Sequence, residues 1–128
     1  MMIMEYSYPA KGEQIEALIN HKAYDFTMNN AGRDSIGEPQ YAKVLNVTKK
    51  EIQEYLKNNY TILNLPFSYT HSGIKDGAYI IHKPEGYLVY HQERGLPEAQ
   101  YREMEEEQVW DYYVDFILRT SGTGLKWS

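Results

Sequence analysis

Apolar positions recur along this chain with two different periods, and the changes of period divide it into elements. Ile15, Leu18, Ile19 and Ala23 fall at helical spacing and predict a helix over 12–24. The stretch TMNNAGRDSIGEP at 27–39 is polar and turn-rich and predicts a long loop. Ile52, Tyr55 and Leu56 predict a second helix over 49–58. Its start is well specified. Thr48 caps, Glu51 supplies the other half of a capping box three residues on, and Val47 staples onto Ile52.

The period then shortens. Residues 60–65 and 66–70 are rich in β-formers, but Pro66 interrupts them and predicts an edge strand or a bent one. Strands over 78–83 and 87–93 flank Pro84-Glu85-Gly86 and predict a hairpin. With Glu85-Gly86 as a two-residue turn, Pro84 opposes Tyr87, Ile81 opposes Tyr90 and Ile80 opposes His91. One face then carries Tyr79, Ile81, Leu88 and Tyr90, and as the apolar face it is expected to meet the helices. The other carries Ala78, Ile80, His82, Val89, His91 and Glu93. Gly95-Leu96-Pro97 is expected to end the strand, with a short third strand over 99–102.

Helical spacing returns at the C-terminal end. Val109, Tyr112, Tyr113, Phe116 and Ile117 give the strongest periodic signal in the chain and predict a helix over 105–119, ended by Ser121-Gly122. The tail to Trp127 is expected to be loosely held. Helices, then strands, then a helix make an α+β order. The expectation is one domain over 1–128. A small antiparallel sheet, built on the hairpin 78–93 and neighbouring strands, packs against helices near 12–24, 49–58 and 105–119.

Composition narrows the function classes. The chain has 128 residues, a single-domain length, and 42% of them are hydrophobic, enough for a core. Cysteine is absent, which excludes disulfides, thiolate metal sites and a cysteine nucleophile. No apolar run approaches the ~18 residues of a membrane span. The start MMIMEYSYPA lacks the basic-then-apolar form of a signal peptide. The expected location is the cytoplasm. A net charge of −5 argues against a general nucleic-acid binder. The 13 tyrosines stand against 3 phenylalanines and 2 tryptophans, and tyrosine suits half-buried positions and binding surfaces.

The acidity is concentrated. Residues 93–115 hold eight acids and two bases, while the rest of the chain is nearly neutral. Glu107, Asp111 and Asp115 fall at i, i+4 and i+8 on the expected solvent side of the last helix. Like charges at this spacing repel by a few tenths of a kcal/mol per pair, and Arg119 relieves only the last step. Such a stripe beside Trp110 suits a basic partner surface. His82, His91 and Glu93 share one hairpin face and could hold a zinc ion or act as acid and base, provided that the register is right. No phosphate-binding glycine loop and no G-x-S-x-G elbow occurs. No cofactor is expected.

The run over 77–118 resembles the ending of small immunity proteins of bacterial polymorphic-toxin and contact-dependent inhibition systems. These show a strand, a tight turn, a second strand closing in an aromatic residue followed by E-R-G, a short strand and an acid-rich amphipathic helix. The matching residues are Tyr79, Tyr87, Tyr90, Glu93, Arg94, Gly95 and Tyr101, and the similarity covers about a third of the chain. The resemblance implies a non-enzymatic antitoxin that binds a cognate toxin C-terminal domain, as a monomer or weak dimer, and blocks its active site or an essential surface. A nuclease toxin with a basic cleft would suit the acidic helix. The partner-binding residues expected on this reading are Tyr90, Glu93, Glu107, Trp110, Asp111 and Asp115. The alternatives are a small metal-dependent hydrolase using His82, His91 and Glu93, and a homodimeric adaptor paired through a strand edge.

Overall fold

The first apolar stripe folds as two helices. α1 (Lys11–Ile19) stops at Asn20, and α2 (Ala23–Asn30) leaves after a sharp corner. The corner is a Schellman closure: the Lys22 amide donates to the Ala17 carbonyl (2.8 Å) and the His21 amide to the Leu18 carbonyl (3.3 Å). His21, at φ 57°, holds the left-handed position where glycine is usual, so the sequence carries no glycine to announce the stop. α2 takes 27–30 from the expected loop. What remains is well tied. The Asp34 carboxylate accepts from the amides of Ile36 and Glu38, both at 2.9 Å, and an isolated bridge joins Arg33 to Pro39. The computed structural model that gives this architecture describes residues 7–94, 96–97 (backbone only) and 102–128.

α3 (Lys49–Asn59) begins as its sequence requires. The Thr48 amide donates to Glu51 Oε1 (2.9 Å), the Glu51 amide donates to Thr48 Oγ1 (3.1 Å), and Val47 and Ile52 are both buried. The aromatic run that follows contributes less strand than expected. Ile62–Asn64 is a 3-10 turn that buries Ile62, and only Ser68–Tyr69 pair, as β1.

β2 (Gly77–Lys83) and β3 (Gly86–Glu93) form the hairpin. Lys83 pairs with Gly86, so the turn is Pro84-Glu85; Ile81 faces Leu88, Ile80 faces Val89 and Ala78 faces His91. This corrects the expected register by two residues. In the turn, proline costs no ladder donor, whereas opposite Tyr87 it would. A shift of two preserves the two faces, since side chains alternate with period two. β4 (Leu96–Pro97) and β5 (Arg102–Met104) both pair antiparallel with β3 on its other side. β1 runs parallel to β2, so the sheet is mixed and not purely antiparallel. The fold class is α+β. The strand expected at 99–102 appears from Arg102 onward; residues 99–101, and Gly95 and Tyr101 of the quoted similarity, lie outside the described residues.

α4 (Glu106–Thr120) packs on the sheet. It meets the face carrying Ala78, Ile80 and Val89, all fully buried, with His91 set edge-on to Phe116 at 5.2 Å. The other face, with Tyr79 and Tyr90, was expected to meet the helices and does not. Its polar tips explain the reversal. Tyr79 donates its hydroxyl to the Lys75 carbonyl (2.7 Å), and Gln92 Nε2 donates to the carbonyls of Gly73 (2.8 Å) and Lys75 (3.2 Å). A loop over 70–76 has carbonyls to offer, whereas those in mid-helix are already used. α1 and α3 pack against the flanks of α4. The C-terminal tail is docked: Leu125 and Trp127 pack against the core, and the Lys49 amide, an orphan donor at the start of α3, donates to the Ser128 carbonyl (2.7 Å). Among the described residues, no helix is long and apolar enough to cross a membrane.

Gly86 lies at φ 143°, and a Cβ there would stand 2.8 Å from the Met104 carbonyl oxygen. Gly86→Ala should therefore loosen β5 from β3 and cost about 1–3 kcal/mol in urea unfolding. Gly73→Ala, whose Cβ would meet only ordinary contact at 3.6 Å, should stay within about 0.5 kcal/mol of the parent.

Candidate functional site

The six residues expected to form a partner surface divide into four locations. Tyr90 lies on the outer sheet face, 4% exposed, stacked on Tyr79 with ring centroids 4.8 Å apart. Trp110 is 5% exposed and belongs to the core. Neither is a surface anchor, which corrects that expectation. α4 is flanked by helices as well as by the sheet, so a second ridge, Trp110, Val114 and Leu118, is buried beside the expected one.

Glu107, Asp111 and Asp115 do line the solvent side of α4, but they are not an unrelieved stripe. α3 runs antiparallel beside them and presents Lys49, Gln53 and Lys57 at the same four-residue spacing. Lys57 Nζ meets Glu107 at 2.8 Å, Gln53 donates to Asp111, and Lys49 Nζ meets Asp115 at 3.2 Å. The expectation that only Arg119 offsets this repulsion is thus corrected. The signal was present in the sequence, as K-x3-Q-x3-K facing E-x3-D-x3-D. The acids themselves stay exposed, Glu107 at 74% of its side chain and Asp115 at 62%.

Glu93 stands elsewhere, at the end of the hairpin remote from its turn. It lines a cleft of about 490 Å³ with His21, Asp76, His91, Arg119 and Thr120. Burial pulls the His21 imidazole below its usual pKa. His21 stacks on Phe67 at 4.0 Å, and Phe67 and Arg94 share its left-handed backbone at φ 55°. The cleft offers donors and acceptors of both signs to a polar ligand group. His82 is not part of it. It stacks on Tyr87 near the turn at 4.9 Å, four positions along the strand from Ala78, which faces His91, or ~13 Å away. Among the described residues, no three histidines or acids come together to hold a metal ion. The trio His82, His91 and Glu93 is therefore corrected as a site.

Tyrosines also build a cluster that sequence reasoning missed. Glu16 on α1 accepts from the hydroxyl of Tyr55 on α3 (2.8 Å) and from that of Tyr60 (3.0 Å). Tyr113 on α4 donates to the Pro66 carbonyl at 2.6 Å. Burial, then the Glu16 carboxylate, pushes the Tyr55 hydroxyl up to about 12. Burial likewise raises Tyr60, Tyr79 and Tyr113.

At the other end of the hairpin, the turn and the start of α4 border a groove of about 570 Å³, with Lys83, Glu85, Tyr87, Met104 and Gln108 among its lining residues. Comparison of the chain with protein-family models, curated proteins and solved structures gives no match in any of the three.

Two outcomes test these contacts. In the unfolded chain the phenols ionise near pH ~10, while the folded protein keeps their protons longer. Stability is therefore complete below that pH and lost as it rises toward 12, the folded value of Tyr55. Melting temperature should fall over that window, more shallowly in Tyr55→Phe. For the α3–α4 seam, Lys57→Glu and Glu107→Lys should each cost up to about 1 kcal/mol in urea melts, and the charge-swapped double variant should regain most of it.

Proposed function

We propose that the protein is an immunity-type inhibitor, a non-enzymatic module that binds a cognate toxin domain and covers its active site or an essential surface. The outer face of the sheet carries this reading. Among the described residues α4 is the α-helix that packs on the strands, and it does so from the opposite side. The 70–76 segment closes over Tyr79 and Tyr90, whereas Ile81 and Leu88, paired across the hairpin on the same face, are only half-buried. Ile74, on the covering segment, is 86% exposed. Apolar side chains left open on a small acidic domain suit a protein partner. The sequence similarity over 77–118 supports the same class, and the net charge of −5 favours a basic partner.

The test is capture of the tagged protein from its native host, followed by co-expression. The expected result is a stoichiometric partner that is the C-terminal domain of a large secreted protein, whose toxicity to a test host is lifted by this protein. Recovery of copies of itself alone, with a dimer in sedimentation, overturns the inhibitor reading in favour of the homodimeric adaptor.

A further inference from the structure

Charges of both signs line the Glu93 cleft without cancelling. His91 and Glu93 fall on the face of β3 that meets α4, and Phe116, Arg119 and Thr120 join them from the last turns of α4. His21 comes from the α1–α2 corner, and Asp76 and Gly77 from the entry to β2. Four separate stretches of chain thus converge on about 490 Å³, within the roughly 300–1,000 Å³ of small-molecule sites. Phe116 is buried and gives the cleft an apolar wall, with the His91 ring edge-on to it. Glu93 and Arg119 are both exposed, and among the described residues neither makes an ion pair, with the other or elsewhere.

The backbone around the cleft is unusual as well. Among the described residues, three that bear side chains hold left-handed φ: His21 at 57°, Phe67 at 55° and Arg94 at 55°. Glycine turns a chain there at lower cost. All three stand at or beside this cleft: His21 lines it, Phe67 stacks on His21, and Arg94 follows Glu93. Side chains kept at three such positions in one part of the fold point to a use beyond turning the chain. Opposite charges in contact satisfy each other. Held apart in one cleft, a carboxylate and a guanidinium complement a molecule that carries both charges itself. We propose that the cleft binds a small zwitterion of the amino-acid type, with its ammonium at the Glu93 carboxylate, its carboxylate at the Arg119 guanidinium and its carbon chain on Phe116. The inference does not depend on the reading of the protein as an inhibitor.

The experiment titrates the isotope-labelled full chain with glycine, β-alanine and γ-aminobutyrate, which set the two charges at increasing distances. Acetate and methylammonium, each with one of the charges, serve as controls at matched ionic strength. Backbone amide shifts and the ring signals of His21 and His91 are followed. At least one zwitterion should give saturable shifts centred on His21, Asp76, His91, Glu93 and Arg119. Glu93→Gln and Arg119→Gln should each lower its affinity about 10-fold, with the rest of the spectrum unchanged, and Glu107→Gln, at the far end of α4, should leave it alone. No saturable shift with any of the three, shifts centred on the α3–α4 seam or the hairpin-end groove, a response to either control as tight as to the best zwitterion, or unchanged affinity in both variants would each overturn the proposal.

Discussion

The structure depends on one helix having to satisfy neighbours on several sides. α4 lays Val109, Tyr113, Phe116 and Ile117 against the sheet and the adjoining core, and turns Trp110, Val114 and Leu118 toward further buried contacts. Seven buried side chains in a helix of 15 residues leave a narrow polar strip. α1, α3, β2, β3 and β5 all touch it. A helix so enclosed cannot rotate without exposing apolar surface, each large side chain costing roughly 1.5–3 kcal/mol. Its orientation therefore fixes where the sheet, the seam with α3 and the groove at its start all lie.

That enclosure changes what the acidity means. A carboxylate stripe on an isolated helix invites an external cation, but beside α3 it has internal ones. Exposed pairs contribute little each, and salt screens them. Their effect is to lower the charge that the seam presents outward. The acids on the hairpin turn and on β5, Glu85 and Glu103, are exposed and make no ion pair among the described residues.

How much of this was legible follows the range of the forces involved. The capping box of α3 and the apolar stripe of α4 are local, and both stand where the sequence placed them. The membership of the two hairpin faces was legible too, because alternation survives a slip of two. The choice of which face meets the helix was not. It turned on the hydroxyls of Tyr79 and Tyr90 and the amide of Gln92 needing acceptors, and those come from a loop with no periodic signal. The break at Asn20-His21 was hidden because a histidine does the work of a glycine. Of the expected site, Glu93, Glu107, Asp111 and Asp115 are exposed, while Tyr90 is buried beneath the 70–76 loop and Trp110 within the second ridge, Trp110, Val114 and Leu118, that α4 turns to its neighbours. The Glu16 cluster joins residues some forty positions apart and was invisible for that reason.

The seam between α3 and α4 also works as a vernier. Three rungs at four-residue spacing match in one setting only. Advance α3 by four residues, about 6 Å at 1.5 Å per residue, and Lys49 is carried toward Arg119 while Gln53 faces Asp115 without charge. Retreat it by the same step and Lys57 runs past the start of the helix. Apolar contacts alone tolerate such slippage, since one turn of a stripe looks much like the next. The alternation of lysine and glutamine therefore gives a smooth hydrophobic contact a single stop, set on the solvent side where it takes nothing from the core.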